Sequence, residues 1–403
     1  VEILKDWKKN LYIVWIGCFL TGTGLNLIMP FLPLYVEELG IHDPDQVSLY
    51  SGVALSSTFF VSAIMAPIWG MLADRKGRRL MLLRAALGMS IAMILMGLVT
   101  NVFQFIGLRL LMGIFSGYIS TANALIATQV PRHKSGYALG TLSTAAVSGV
   151  LIGPLIGGFL SDTFGVRPVF FITGTLIACS FLLTLLFVKE NFTPVEKREV
   201  RSFREVFGAL QNPKLIIILF FTSMIIQVSN NAISPILTLY VRDLAGNIAN
   251  LAFISGMIAA VPGVASLLAA PRLGKWGDKI GTERILLGAL IGSMLLQIPM
   301  AFAETPFQFG VLRFLLGIAD CALLPAVQSL LSKNAPRDLT GRIFGYNQSF
   351  LYIGNVIGPL IGSSIAAHFG YSDVFLAVAA FILLNVCLVA IFNRTTHHKK
   401  QEE

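Results

Sequence analysis

The chain has 403 residues, of which 55% are hydrophobic and 13% charged, and it carries a formal net charge of +9. A soluble protein carries about 25% charged residues, so this chain lacks the polar surface that water demands, and the lipid bilayer must replace water around much of it. Its basic residues form short clusters between apolar runs, not a patch interleaved with stacking aromatics, which excludes nucleic acid as a partner.

A window of about twenty apolar residues predicts crossings near 11–36, 48–72, 80–100, 104–127, 135–160 and 168–188. The first run, from Leu11, is too long for a signal-peptide core and ends in no small-residue cleavage site, so it reads as a retained helix. A charged stretch over 189–214 follows, then crossings near 215–241, 249–272, 285–303, 306–331, 340–367 and 373–392. Only Glu304, Thr305 and Pro306 separate the ninth from the tenth. The expected fold is an all-α polytopic membrane protein of twelve transmembrane helices. The expected domains are an N-terminal six-helix bundle (1–188), a cytoplasmic linker (189–214) and a C-terminal six-helix bundle with a short tail (215–403).

The basic residues orient this arrangement. Lys5, Lys8 and Lys9, then Arg75, Lys76, Arg78 and Arg79, then Arg132 and Lys134 fall on one side. The linker, Arg272 to Arg284, Lys333 to Arg342 and the C-terminal tail fall with them, and the opposite loops hold only Arg167 and Arg242. The positive-inside rule then puts both termini in the cytoplasm. The acidic residues Glu37, Glu38, Asp43 and Asp45 read as a solvated outer loop.

An internal repeat runs the length of the chain at an offset of 204 or 205. Asp74 and Gly77 recur as Asp278 and Gly281, Arg109 and Gly113 as Arg313 and Gly317, and Gly153-Pro154 and Gly157 as Gly358-Pro359 and Gly362. Parallel repeats of this kind place a substrate site near the bilayer midplane, where the halves meet.

Polar residues inside apolar spans are the candidates for function. Arg109, Gly113, Ser116, Ser120 and Asn123 recur at helical spacing and predict one polar face on helix 4. Arg109 either turns inward to a partner or snorkels to the outer interface. Asp320 is the one carboxylate well inside a span, seven residues after Arg313 and equivalent to Ser116 in the repeat. It is suited to take up and release a proton, or it serves only as a structural partner. Gln227, Asn230, Asn231 and Ser234 share a face of helix 7, with Asn26 the helix 1 counterpart of Asn231, while Gln348, Tyr352 and Asn355 share a face of helix 11. Such amides either line a wet cavity or join helices, and the cluster on helix 7 favours a cavity wall. The cysteines Cys18, Cys179, Cys321 and Cys387 form no CxxC pair and read as small buried hydrophobes. No metal, cofactor or nucleotide loop is indicated, and no enzyme signature is present.

The segment from Gly70 through Asp74, Arg75, Gly77 and Arg78 to Arg79 resembles the signature loop of the Major Facilitator Superfamily. Leu108 to Gly113 resembles that superfamily's second motif, and Gly149, Gly153, Pro154, Gly157 and Gly158 resemble the motif of its antiporters. The stretches 123–132 and 138–144 are similar to bacterial multidrug efflux proteins of the drug:proton antiporter branch, of the quinolone-efflux type. The resemblance implies export of amphipathic drugs in exchange for protons by a monomer in the bacterial cell membrane. It also implies a cytoplasmic latch at the helix 2–3 loop and a role for Arg109 in proton transfer. Many members of that branch carry an acidic residue or an Asp–Arg pair in helix 1, where this chain has Asn26, so either the proton site lies elsewhere, with Asp320 the candidate, or the coupling differs. The alternatives are a metabolite or sugar carrier of the same fold, and a membrane receptor built on it.

Overall fold

Apolar helices of this length can satisfy every backbone polar group internally, the condition for crossing lipid, and each element among the described residues is helical. The computed structural model describes residues 3–131, 134–190, 208, 210, 212–246, 248–336 and 339–402. Its description omits the side chains at 3–6, 74, 135–136, 271, 274–275, 277–278, 340–341 and 392–402. In chain order, α1 is Ile3–Ile28, continued through a 3-10 turn (Met29–Phe31) into α2, Leu32–Glu38. Then come α3 (Pro44–Lys76), α4 (Arg78–Met96), α5 (Val102–Phe115), α6 (Tyr118–Gln129), α7 (Ser135–Phe164) and α8 (Val166–Phe187). The remainder are α9 (Pro213–Ile233), α10 (Leu237–Ala245), α11 (Leu251–Ile280), α12 (Thr282–Ala301), α13 (Pro306–Asp320), α14 (Leu323–Asn334), α15 (Thr340–Phe369) and α16 (Tyr371–Glu402).

Twelve candidate membrane spans are found among the described residues, and the close split between the ninth (Thr282–Ala301) and the tenth (Pro306–Asn334) is present as expected. Large apolar side chains such as Phe60, Ile64, Leu87, Leu268, Leu295 and Leu384 are exposed along the spans, as lipid contact requires. Four helix pairs meet at a single glycine: Gly77, Gly165, Gly281 and Gly370 have φ of 94°, 86°, 103° and 113°. Only glycine adopts that conformation without strain, so each turn is as short as a turn can be.

Two compact units emerge from the contacts. Unit 1 comprises Val1–Lys197 with Leu237–Ala260, and unit 2 comprises Arg198–Ile236 with Val261–Glu403. Within unit 1, α7 lies so close to α1 that a Cβ on Gly149 would fall 2.6 Å from Thr23 N, and one on Gly153 2.8 Å from Asn26 Cβ; one on Gly157 would strike the Leu27 carbonyl. Unit 2 repeats the packing between α15 and α9, where a Cβ on Gly358 would fall 3.0 Å from Asn231 Cβ and one on Gly362 would strike the Ala232 carbonyl. Close approach lets dispersion forces hold helices that gain nothing from hydrophobic burial in lipid.

The segment Leu237–Ala260 is tied into unit 1 by polar contacts. Arg242 donates to both carboxylate oxygens of Glu37 at 2.6 and 2.9 Å, and Arg167 pairs with Glu38 at 3.8 Å. Asp162 accepts from Ala252 N (3.1 Å) and Phe253 N (2.8 Å), capping the start of α11, and Thr238 Oγ1 donates to the Pro30 carbonyl. The Arg242 pairing corrects the reading of Glu37 as part of a solvated loop, whereas Glu38 is exposed beside Arg167 as that reading expects. Asp43 caps α3.

Candidate functional site

The fourth and tenth spans are each two helices, and their starts are built alike. Asn101 Oδ1 accepts from Gln104 N at 2.9 Å to cap α5, and Thr305 Oγ1 accepts from Gln308 N at 3.2 Å to cap α13. In both, the glutamine amide oxygen reaches back to a backbone N–H, of Thr100 (3.0 Å) and Glu304 (2.9 Å). Each span then breaks near mid-length, at Ser116–Gly117 and at Cys321–Ala322. Breaks of this kind free backbone groups and are tolerated at membrane depth where protein or a cavity receives them.

At the tenth-span break, Asp320 is partly buried and its Oδ1 accepts a 2.6 Å hydrogen bond from Ser293 Oγ on α12. Arg313, on the same face of α13, attracts it electrostatically. Ser293 is buried and does not stand out in the sequence, where it is one hydroxyl in an apolar run. Its signal is positional: the repeat equates it with Met89, a residue that lines the cavity at the other break.

That other break opens a cavity of about 180 Å³ in unit 1, lined by Arg109, Ser116 and Ser120 together with Thr21, Thr58 and Ser62. Arg109 is 3% exposed, which rules out snorkelling to the interface. Its guanidinium lies 5.2 Å from the Phe105 ring, and its Nε and Nη2 have no hydrogen-bond partner. The expected polar face is shortened by the break. Asn123 is exposed and does not line this cavity, because Gly117, at φ 107°, resets the helix phase before it.

Of the amides, Asn231 Nδ2 donates to Asn355 Oδ1 at 3.0 Å and to the Gln227 carbonyl at 3.0 Å, joining α9 to α15. Asn26 Nδ2 donates to the Gly22 carbonyl at 2.7 Å and packs against Gly153. Gln227 packs against Gly354, and Gln348 is hydrogen-bonded to Tyr352. Asn230 and Gln348 are exposed, while Ser234 is half-buried. An inter-helix hydrogen bond is thus made by Asn231 and Asn355, while that of Asn26 stays within α1.

In the helix 2–3 loop, Gly77 both ends α3 and begins α4, Gly70 has open space around it, and Arg75 is exposed. The side chain of Asp74 lies outside the described residues, as does that of its counterpart Asp278. Glu190, which sequence reasoning missed, caps α4: its two oxygens accept from Arg78 N (2.9 Å) and Arg79 N (2.7 Å). Arg78 Nη1 donates to Thr128 Oγ1 at 3.2 Å. Among the antiporter-motif residues, Pro154 sits inside an unbroken α7, and a Cβ on Gly158 would fall 2.6 Å from the Ala252 carbonyl. The cysteine reading holds for Cys18, which is buried, and fails for Cys179 and Cys387, which are exposed on their spans. Cys321 is half-buried at the tenth-span break.

The Major Facilitator Superfamily model matches residues 14–259 and, in a second overlapping match, 219–403. Multidrug resistance protein MdtG of Enterobacter lignolyticus is 60% identical over 391 residues, covering 97% of this chain and 94% of that protein. The protein of the same name from Citrobacter koseri is 59% identical over 401 residues, covering 100% and 98%. Among solved structures, a bacterial homolog of the human lysosomal transporter Spinster, inward-facing and unoccupied, matches with a TM-score of 0.78 at 16% identity. That match covers 97% of this chain and 98% of the other. The nucleoside transporter NupG matches with a TM-score of 0.76 at 14% identity, covering 96% and 99%. At such identities the likeness establishes the fold alone.

Proposed function

We propose that this chain, which belongs to the Major Facilitator Superfamily, exports amphipathic drugs across the bacterial inner membrane in exchange for protons, by alternating access. The observation that carries the reading is the pair of relatives near 60% identity over almost their whole length, both named multidrug resistance proteins. The basic clusters support cytoplasmic termini, and in this reading the protein acts as a monomer.

Asp320 is the proton carrier in this reading. Its carboxylate takes a proton from the outer side, forming an O–H bond, and returns it to the cytoplasm when the carrier reorients. Ser293 holds the carboxylate in place, and Arg313 faces it as the compensating cation. Among the described residues that line the Arg109 cavity none is acidic, so in this reading Arg109 stands outside the proton path. The helix 2–3 loop, with Asp74 and the Glu190-capped start of α4, serves as the cytoplasmic latch.

Transport in inverted membrane vesicles under a pH gradient, with a panel of cationic, neutral and anionic amphiphiles, tests the function. Gradient-dependent uptake of several unrelated amphiphiles is expected, abolished by a protonophore. Saturable transport of one metabolite with no drug movement would replace this reading with that of a metabolite carrier.

A further inference from the structure

The break in the fourth span leaves two helix ends with opposite needs. The carbonyl end of α5 is satisfied within the chain. Arg84 stacks on Trp69 at 3.8 Å and donates to the carbonyls of Ile114 (3.3 Å) and Ser116 (3.2 Å), while Trp69 Nε1 donates to Ile114 O at 2.7 Å. This is the cation that the negative end of a helix calls for.

The N–H end of α6 receives nothing equivalent. Gly117 is its N-cap and has no side chain to accept from the first turn, whose N–H groups have no partner within the helix. Gly117 to Ser120 line the same cavity as Arg109, whose Nε and Nη2 are buried without partners. Among the described residues that line it, none is acidic. The hydroxyls there are largely committed as donors: Thr58 to the Arg109 carbonyl, Ser62 to the Thr58 carbonyl, Ser116 to Ser62 and Ser120 to the Gly117 carbonyl. A buried guanidinium and an uncapped helix start thus converge on one space with no negative charge to meet them.

The repeat shows what belongs there. Arg109 corresponds to Arg313, and Ser116 to Asp320. At the second break the chain supplies a carboxylate on the same helix face as the arginine; at the first it supplies a serine. We propose that the unit 1 cavity is an anion-binding site. It takes a monovalent anionic group between Arg109 and the first turn of α6, either a halide from solution or the carboxylate of an amphipathic molecule. A cavity of about 180 Å³ has room for such a group with its waters, since a single water needs only about 10–15 Å³ on a comparable measure. The site does not depend on which group carries the proton.

The test is thermal unfolding of the full-length protein in lipid nanodiscs at fixed ionic strength. Sodium gluconate, bulky and strongly hydrated, is the reference salt. Sodium chloride and sodium bromide form the halide arm, and octanoate against octanol and octylamine forms the carboxylate arm. A bound anion stabilises the folded protein by mass action, so a saturable rise in Tm is expected in at least one arm. A rise in halide identifies the solution ion as the source; a rise with octanoate alone identifies the carboxylate. Arg109→Gln should abolish it. Because that variant can fail to fold, Ser116→Asp is the second arm: it places the carboxylate of unit 2 at the same position in unit 1 and should remove the rise for both probes. No rise over gluconate in either arm, or a rise kept in full by Arg109→Gln or Ser116→Asp, overturns the proposal.

Discussion

The fourth and tenth spans are two versions of one design, with a capped start, an arginine and a mid-span break at matching positions, and they differ in the backbone of the break and in who supplies the negative charge. In unit 2 the chain carries it as Asp320, held by Ser293 and attracted electrostatically by Arg313, whose own Nε is buried without a hydrogen-bond partner. In unit 1 the equivalent residue is Ser116, and Arg109 lies buried with two nitrogens unpartnered. Duplicated halves therefore need not share a task. On the proposed reading, the Ser116/Asp320 and Met89/Ser293 differences between the copies give one half a proton-exchanging group and the other a place for an anion.

Exchanging the charge between the halves tests this division most severely. The double variant Asp320→Ser with Ser116→Asp keeps the composition but moves the carboxylate into unit 1, where Met89 stands in place of Ser293 and Ser62 is the neighbouring hydroxyl. Gradient-driven efflux in inverted vesicles should fall by about tenfold or more, since a proton-transfer group contributes on that scale. Efflux near the wild-type level would show that the two breaks are interchangeable.

Ser293→Ala sharpens the comparison from the other side. It removes the hydroxyl bonded to Asp320 and should destabilise the protein by about 1.5–3 kcal/mol, the range for a hydrogen bond to a charged group. Thermal unfolding measures the loss, and Ser293→Thr should restore most of it. A smaller effect is expected where the breaks differ in backbone. Gly117→Ala forces a side chain into the left-handed region and should cost about 1–2 kcal/mol. Cys321→Ala, at a residue with φ −62°, should cost less than about 1 kcal/mol. Equal costs in the two unfolding curves would remove the backbone half of the contrast.

Much of this is legible in the sequence because lipid leaves few options. Spans must be long, apolar and helical, and their number and order follow. The constant offset of the repeat is enough to pair Arg109 with Arg313 and Ser116 with Asp320, and Asp320 stands out as a carboxylate in an apolar run. What escapes depends on partners far along the chain. Glu37 looks solvated because Arg242, which neutralises it, lies in the other half of the sequence. Glu190 and Asp162 cap the helices α4 and α11 from about a hundred residues away. The continuous polar face from Arg109 to Asn123 assumes an unbroken helix. A Ser-Gly pair inside an apolar run does not announce a break, because glycine is common in membrane helices.

The most direct measurement is proton movement driven by drug, read with a pH-sensitive dye trapped in proteoliposomes. Drug added to wild-type protein should move protons in the opposite direction. Asp320→Asn should bind drug with little change yet move no protons. Undiminished proton flux in Asp320→Asn would contradict the account, because the carboxylate of unit 2 would then not carry the proton.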